Sequence, residues 1–219
     1  IDQVLDYNKW ELTKRRINYD LVTCGIGAVK TDFNVSNGIT IDYVDPAYLI
    51  YSYTEDPNFE DIYYVGELKA VTLPEIAKQF PNLDDATLKK IQEYQGDKTY
   101  MYGYGYGPWD QNTIPLLYFE YKTFNDQVYK VKKSASGGDK ALKKDNTFNP
   151  PKDQRARFER VSRQIEVLYS GTKIIGHDVL LEWKMCENMT RPKSDITKVG
   201  MSYNIVSPRM YKGRPESLV

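Results

Sequence analysis

The sequence predicts an α+β fold, and three observations carry that prediction. Apolar residues near the N-terminus recur every three or four positions, as one face of a helix requires. Most of the remaining chain alternates in short stretches punctuated by glycine, proline and Asn-Gly or Asn-Asp pairs, as strands joined by turns do. Two further short helical segments open on recognisable start signals near residues 72 and 84. At 219 residues and 25.4 kDa the chain can hold one large domain or two small ones. Apolar residues make up 41% and mean hydropathy is −0.61, enough for a core and no more. No run approaches the ~20 apolar residues that span a bilayer. The N-terminus lacks the basic-then-apolar order of a leader. Ile1 stands where a Met would start a chain, which points to an internal fragment or a processed product.

Residues 3–24 read as one helix. Tyr7, Trp10, Ile17, Leu21 and Cys24 form one stripe, interrupted by Lys14. Leu5, Leu12 and Tyr19 form a second stripe nearly opposite the first at about 100° per residue. Two apolar faces predict a helix held between two layers, the second from this chain or a neighbour. Gly25-Ile26-Gly27 follows. A dinucleotide fingerprint needs a strand before its glycines and a helix after them, and here that order is inverted. Gly25 is therefore expected as a left-handed helix stop. Residues 28–33 and 39–44 alternate around Asn37-Gly38 and predict a hairpin. Asp45-Pro46 ends its second strand. A short run at 48–53, an acidic turn and a strand at 62–68 come next. Thr72 caps a helix with Pro74 in its first turn, running to about Phe80. Asp84 or Asp85 opens another through Tyr94, stopped by Gly96. Residues 116–122 and 127–133 predict a second hairpin around Asn125-Asp126. Residues 134–157 read as a mobile loop. Strand signals resume at 160–169, turn at Ser170-Gly171-Thr172, and return at 173–175 and 179–185. From Arg191 the chain reads as loop. Internal repeats are absent. Three regions are expected: residues 1–113, α+β; residues 114–192, β-rich; and residues 193–219, a return segment.

Catalytic signals are weak. Cys24 and Cys186 belong to no CxxC pair, so they are expected as reduced, buried thiols and not zinc ligands, which fits synthesis in a cytosol. The one histidine, His177, sits in a turn-like GTKIIGHDVL, so triad chemistry has a single candidate base. Acids cluster at Asp42, Asp45, Glu55, Asp56, Glu60 and Asp61, without calcium-loop spacing. Asp45 or Asp56 with Glu67 and Lys69 matches the short, degenerate acid…ExK pattern of Mg²⁺-dependent nucleases; the same residues also read as a solvated acidic turn and a strand end. Tyr100–Trp109 alternates Tyr with Gly and offers stacking faces, as a binding loop for glycans (Tyr104 at its centre), as an irregular surface loop, or as a buried contact in an assembly.

Charge is balanced overall, with 30 basic and 30 acidic residues, so net charge does not argue for DNA binding. Its distribution is uneven, which is compatible with a phosphate contact, an acidic protein partner or a solvated mobile loop alike. From Lys130 to Arg163 eleven Lys/Arg face four Asp/Glu, a local excess of seven. Lys130, Lys132, Lys133, Lys140, Lys143, Lys144, Arg155 and Arg157 are the candidates to meet phosphates or an acidic partner. Trp10, Ile17, Leu21, Tyr102, Tyr104, Tyr106 and Trp109 are the candidates for a subunit interface. No catalytic or metal-ligating residue and no cofactor is assigned.

The order of features resembles the portal protein, or head-to-tail connector, of tailed bacteriophages, most nearly that of crAss-like phages. Four stretches carry the likeness: Trp10–Arg16 with Tyr19–Val22 and Gly25–Val29; Ile41–Pro46 with Tyr48–Ile50; Tyr63–Glu67 with Leu73–Ile76 and Phe80-Pro81; and Leu116–Glu120, Asp126–Lys130, Glu166–Thr172 and Asn188–Pro192. The resemblance implies a portal-like wing of helices and a mixed or antiparallel sheet, then a β-rich clip-like region. It implies an internal piece of a longer, non-enzymatic protein. That protein would form a twelve-subunit ring at the virion's portal vertex after assembly in the host cytoplasm. The ring would pass double-stranded DNA without reading its sequence and dock terminase and tail adaptor proteins, away from any membrane.

Overall fold

The computed structural model describes residues 1–34, 38–94, 113–132, 140–145, 147–150 and 158–219. The N-terminal helical pattern forms two helices, α1 (Asp2–Tyr7) and α2 (Trp10–Thr23), and not one. Lys9 between them is left-handed at φ 50°. The cause lies outside the helix. The side-chain amide of Asn8 donates to the Ile39 carbonyl at 2.9 Å and accepts from the Ile41 amide at 3.0 Å. It thereby serves the edge of a strand that a continuous helix would miss. Gly25 follows α2 at φ 75°, as expected, and donates to the Asp20 carbonyl.

β1 (Gly27–Asn34) and β2 (Gly38–Val44) pair antiparallel from Ala28↔Val44 to Asn34↔Gly38. Asp45 accepts from the Ala47 amide and opens a single 3₁₀ turn, Pro46–Tyr48. β3 (Leu49–Tyr51) then pairs with β4 (Tyr64–Thr72). Thr72 caps α3 (Leu73–Gln79); the Glu75 carboxylate accepts from its amide at 2.9 Å and its hydroxyl at 2.8 Å. Those two bonds, the backbone one first, hold Glu75 below the ordinary carboxylate range. α4 spans Asp85–Tyr94, and its Gly96 stop lies outside the described residues, as does Asn37 of the first turn.

The second half departs further from expectation. β5 runs unbroken from Thr113 to Lys132, so there is no hairpin at Asn125-Asp126. Asn125 and Asp126 lie in register with Ile165 and Gln164 of β7 (Phe158–Ile174). The long partner strand supplies ladder bonds that outweigh the local turn preference. β7 is also unbroken, and Ser170-Gly171-Thr172 is strand. There the Phe119 ring lies across Gly171, where a Cβ would come within 2.5 Å of it. Residues 134–157 are not all loop: β6 (Lys140–Lys144) adds to β5. β8 (Leu180–Met185) completes a six-stranded antiparallel sheet, ordered β3-β4-β5-β7-β8 with β6 on the far end of β5. Nor is the chain after Arg191 only loop. β9 (Tyr203–Val206) pairs with β1, making a three-stranded sheet, and β10 (Met210–Tyr211) pairs with β11 (Arg214–Pro215).

The observed class is α+β with antiparallel sheets. The larger sheet takes strands from both sides of residue 113, and the return segment gives β9 to the first sheet. Two cores result. One gathers Ile26, Ala28, Val44, Phe59, Ile62, Val65, Tyr203 and Ile205 where the sheets meet. The other sets Ile76 of α3 and Ile91 of α4 against Val71, Ile114, Leu116 and Ile174. The cysteines differ from expectation too: Cys24 is exposed and Cys186 half-buried.

Candidate nucleic-acid interface

β5 is twenty residues long, which at about 3.4 Å per residue spans about 65 Å. Its first part lies in the body. Its last part, with β6 and the start of β7, forms a three-stranded arm. Side chains directly opposite in an antiparallel ladder share a face. Lys130 is opposite Leu142 and Arg160, and Lys132 is opposite Lys140 and Phe158. Lys144 is opposite Val128, two residues along from Lys130. The ladder therefore sets Lys130, Lys132, Lys140, Lys144 and Arg160 on one face. Lys143, opposite Tyr129, takes the other. Lys130 sits over the Phe158 ring at 3.7 Å and 5.9 Å from the Phe148 ring. Arg160 donates to Asn149 at 3.1 Å. Among the described residues Lys132, Lys140, Lys143 and Lys144 are in no ion pair. Lys133, Arg155 and Arg157 lie outside the described residues. An arm of this kind presents several cations in a row, with rings beneath one of them, and suits a chain of phosphates.

The acids of the nuclease pattern have separate employments. Asp45 holds its 3₁₀ turn, and Asp56 accepts from the Asn58 and Glu60 amides of a tight loop. Glu67 is buried, pairs with Lys69 at 2.9 Å and accepts from the Tyr203 hydroxyl at 3.2 Å. Glu120, also buried, accepts from the Ser202 amide at 3.1 Å and from its hydroxyl. Both carboxylates thus tie the larger sheet to the segment carrying β9. Burial, followed by Glu67 and Glu120, pushes the Tyr203 phenol well up; burial, then Glu67, pushes Tyr118 up to about 12. Beside this strut a cleft of about 780 Å³ opens between the sheets, lined by Lys30, Tyr118, Glu120, Glu182 and Lys184 among others. No group of three His, Cys, Asp or Glu among the described residues is placed to hold a metal ion.

Of the interface candidates, Ile17 and Leu21 face β1, where a Cβ on Gly27 would lie 2.7 Å from Ile17 and 3.2 Å from Leu21. Trp10 is half-buried. Of the second stripe, Leu12 and Tyr19 are exposed and Leu5 is half-buried, and Val22 beside them is exposed; Tyr7 and Cys24 of the first stripe are exposed too. Tyr102, Tyr104, Tyr106 and Trp109 lie outside the described residues. Sequence reading missed an aromatic ladder on the outer face of the larger sheet. Phe119, Tyr121, Tyr169 and Trp183 stack in succession at 6.4, 5.8 and 5.2 Å between ring centres. The alternation Phe119, Tyr121 was visible in the sequence; the cross-strand register that adds Tyr169 and Trp183 was not. No family model and no curated protein matches the sequence.

Proposed function

We propose that this chain is part of a structural, non-enzymatic subunit of a tailed-phage portal ring. Copies would surround a channel for the packaged and ejected genome, at the virion's portal vertex, and offer docking ground to terminase and tail adaptors. The observation that carries this reading is the basic arm. Four lysines and Arg160 on one ladder face suit phosphates and read no bases, which is what a channel passing any sequence requires. The exposed stripe of α2, Leu12 with Tyr19 and Val22, supports it as apolar surface for a head-to-tail neighbour.

The test has two arms on the full-length protein. Electron microscopy is expected to show closed rings. Binding to duplex DNA is expected to be independent of sequence and to weaken with salt. Replacing Lys130, Lys132, Lys140 and Lys144 with Gln should lower the log–log salt slope by about 0.9 for each phosphate that the arm no longer neutralises. A lone monomer at high concentration would overturn the ring. Mg²⁺-dependent cleavage of plasmid DNA, abolished by Glu67→Ala, would replace this reading with the nuclease one.

A further inference from the structure

A strand edge left open is a surface that another strand can join, and proteins usually guard it. Most edges here are guarded. The Asn8 amide occupies β2 at Ile39 and Ile41. β3 and β9 are three and four residues long. β6 carries Lys140, Lys143 and Lys144, and the part of β7 beyond β8 carries Glu159, Arg160 and Arg163. β8 is the exception. Among the described residues it pairs with β7 alone, and Leu180, Trp183 and Met185 are exposed on it. Its bulge lies at the start, where Thr172↔Glu182 is followed by Lys173↔Leu180, and Leu181 turns in against the core. From Glu182 onward the edge is regular.

The sequence of that edge also names an occupant. Glu182, Trp183 and Lys184 read acid, aromatic, base. In an antiparallel pair of two β8 strands centred on Trp183, each Glu182 lies opposite the other copy's Lys184, and Trp183 lies opposite itself. Such partners sit about 4.5–5.5 Å apart on one face. Glu182 and Lys184 already pair at 2.8 Å within the strand, both partly exposed, and can exchange partners without burying a lone charge. Trp183 is 55% exposed yet held in place, stacked on Tyr169 at 5.2 Å and donating to the Tyr121 hydroxyl at 3.0 Å. An aromatic fixed before contact is what a binding hot spot needs.

We propose that β8 is a docking edge for a second copy of this chain, paired antiparallel about Trp183, joining two larger sheets and two aromatic ladders. The contact is two-fold and self-complementary, so it stands apart from the head-to-tail contacts of a ring: rings that form without charge-dependent pairing of β8 overturn this proposal alone, and a monomer at every concentration overturns both. The paired stretch is short, and the association is weak and concentration-dependent.

Sedimentation equilibrium of the full chain up to about 1 mM tests it, that range being set by the small interface. The unaltered chain is expected to dimerise. Glu182→Lys alone, and Lys184→Glu alone, should each weaken self-association about tenfold, because like charges then face each other. Mixing the two variants should restore a heterodimer, since every cross-pair becomes opposite again. Circular dichroism of each variant checks that the fold is intact, and a misfolded pair is replaced by Glu182→Gln with Lys184→Gln, expected to flatten the salt dependence of dimerisation. A chain that stays monomeric, or variants that dimerise as well alone as mixed, overturns the proposal.

Discussion

Gly25 shows how one position joins sequence to packing. Its φ of 75° is open to glycine at little cost, and its α-carbon faces the Glu216 carbonyl, which an added Cβ would meet at 2.1 Å. Neither the backbone oxygen nor the turn can move away freely. Gly25→Ala should therefore cost about 2–4 kcal/mol, the left-handed penalty plus overpacking, read as a lower urea midpoint at unchanged slope. The glycine stop was legible in the sequence, because the helical pattern ended at it. The approach to Glu216 was not, since nothing local links positions so far apart. The same division holds at Glu67. Its ExK spacing was visible, but its tie to the Tyr203 hydroxyl required the fold.

Among the elements, the break between α1 and α2 is decided by a strand. Asn8 supplies a donor and an acceptor to β2, and those bonds reward leaving the helical path at Lys9. Asn8→Ala leaves the Ile41 amide and Ile39 carbonyl without that partner and should cost about 1–3 kcal/mol, measured by thermal or denaturant unfolding. Its effect on helix content should be small, because α2 is anchored separately: Arg16 lies 5.4 Å from the Tyr43 ring, and the Tyr43 hydroxyl donates to Asp20 at 2.7 Å. β5 and β7 carry the converse lesson. Asn125-Asp126 and Ser170-Gly171-Thr172 have turn composition, yet each lies mid-strand, because the two strands pair with each other from Leu116↔Ile174 to Lys132↔Phe158. Long-range pairing outweighs a dipeptide's local preference.

For the whole molecule, β9 is the closing piece. It lies beside β1 from Gly27↔Val206 to Lys30↔Tyr203, and it carries Tyr203 and Ile205 into the core between the sheets. Deleting residues 201–219 removes both side chains together with the Ser202 bonds to Glu120. The loss should be about 4 kcal/mol or more, a large share of a domain's stability. Limited proteolysis is expected to cut within residues 27–44 of the truncated chain and to spare them in the intact one; equal protection would show that the first sheet stands without β9.

The sequence by itself determined the α+β class, the first hairpin, the helices after Thr72 and Asp84, the Gly25 stop and the concentration of lysine after Lys130. Those features rest on periodicity, capping and composition, all of which act within a few residues. Only the tertiary structure decided that four of the lysines become one face of an arm, that four rings form a ladder, that β9 returns to β1, and that β8 pairs with β7 alone among the described residues. Each depends on cross-strand register, which is fixed by partners distant in sequence and by which face is buried.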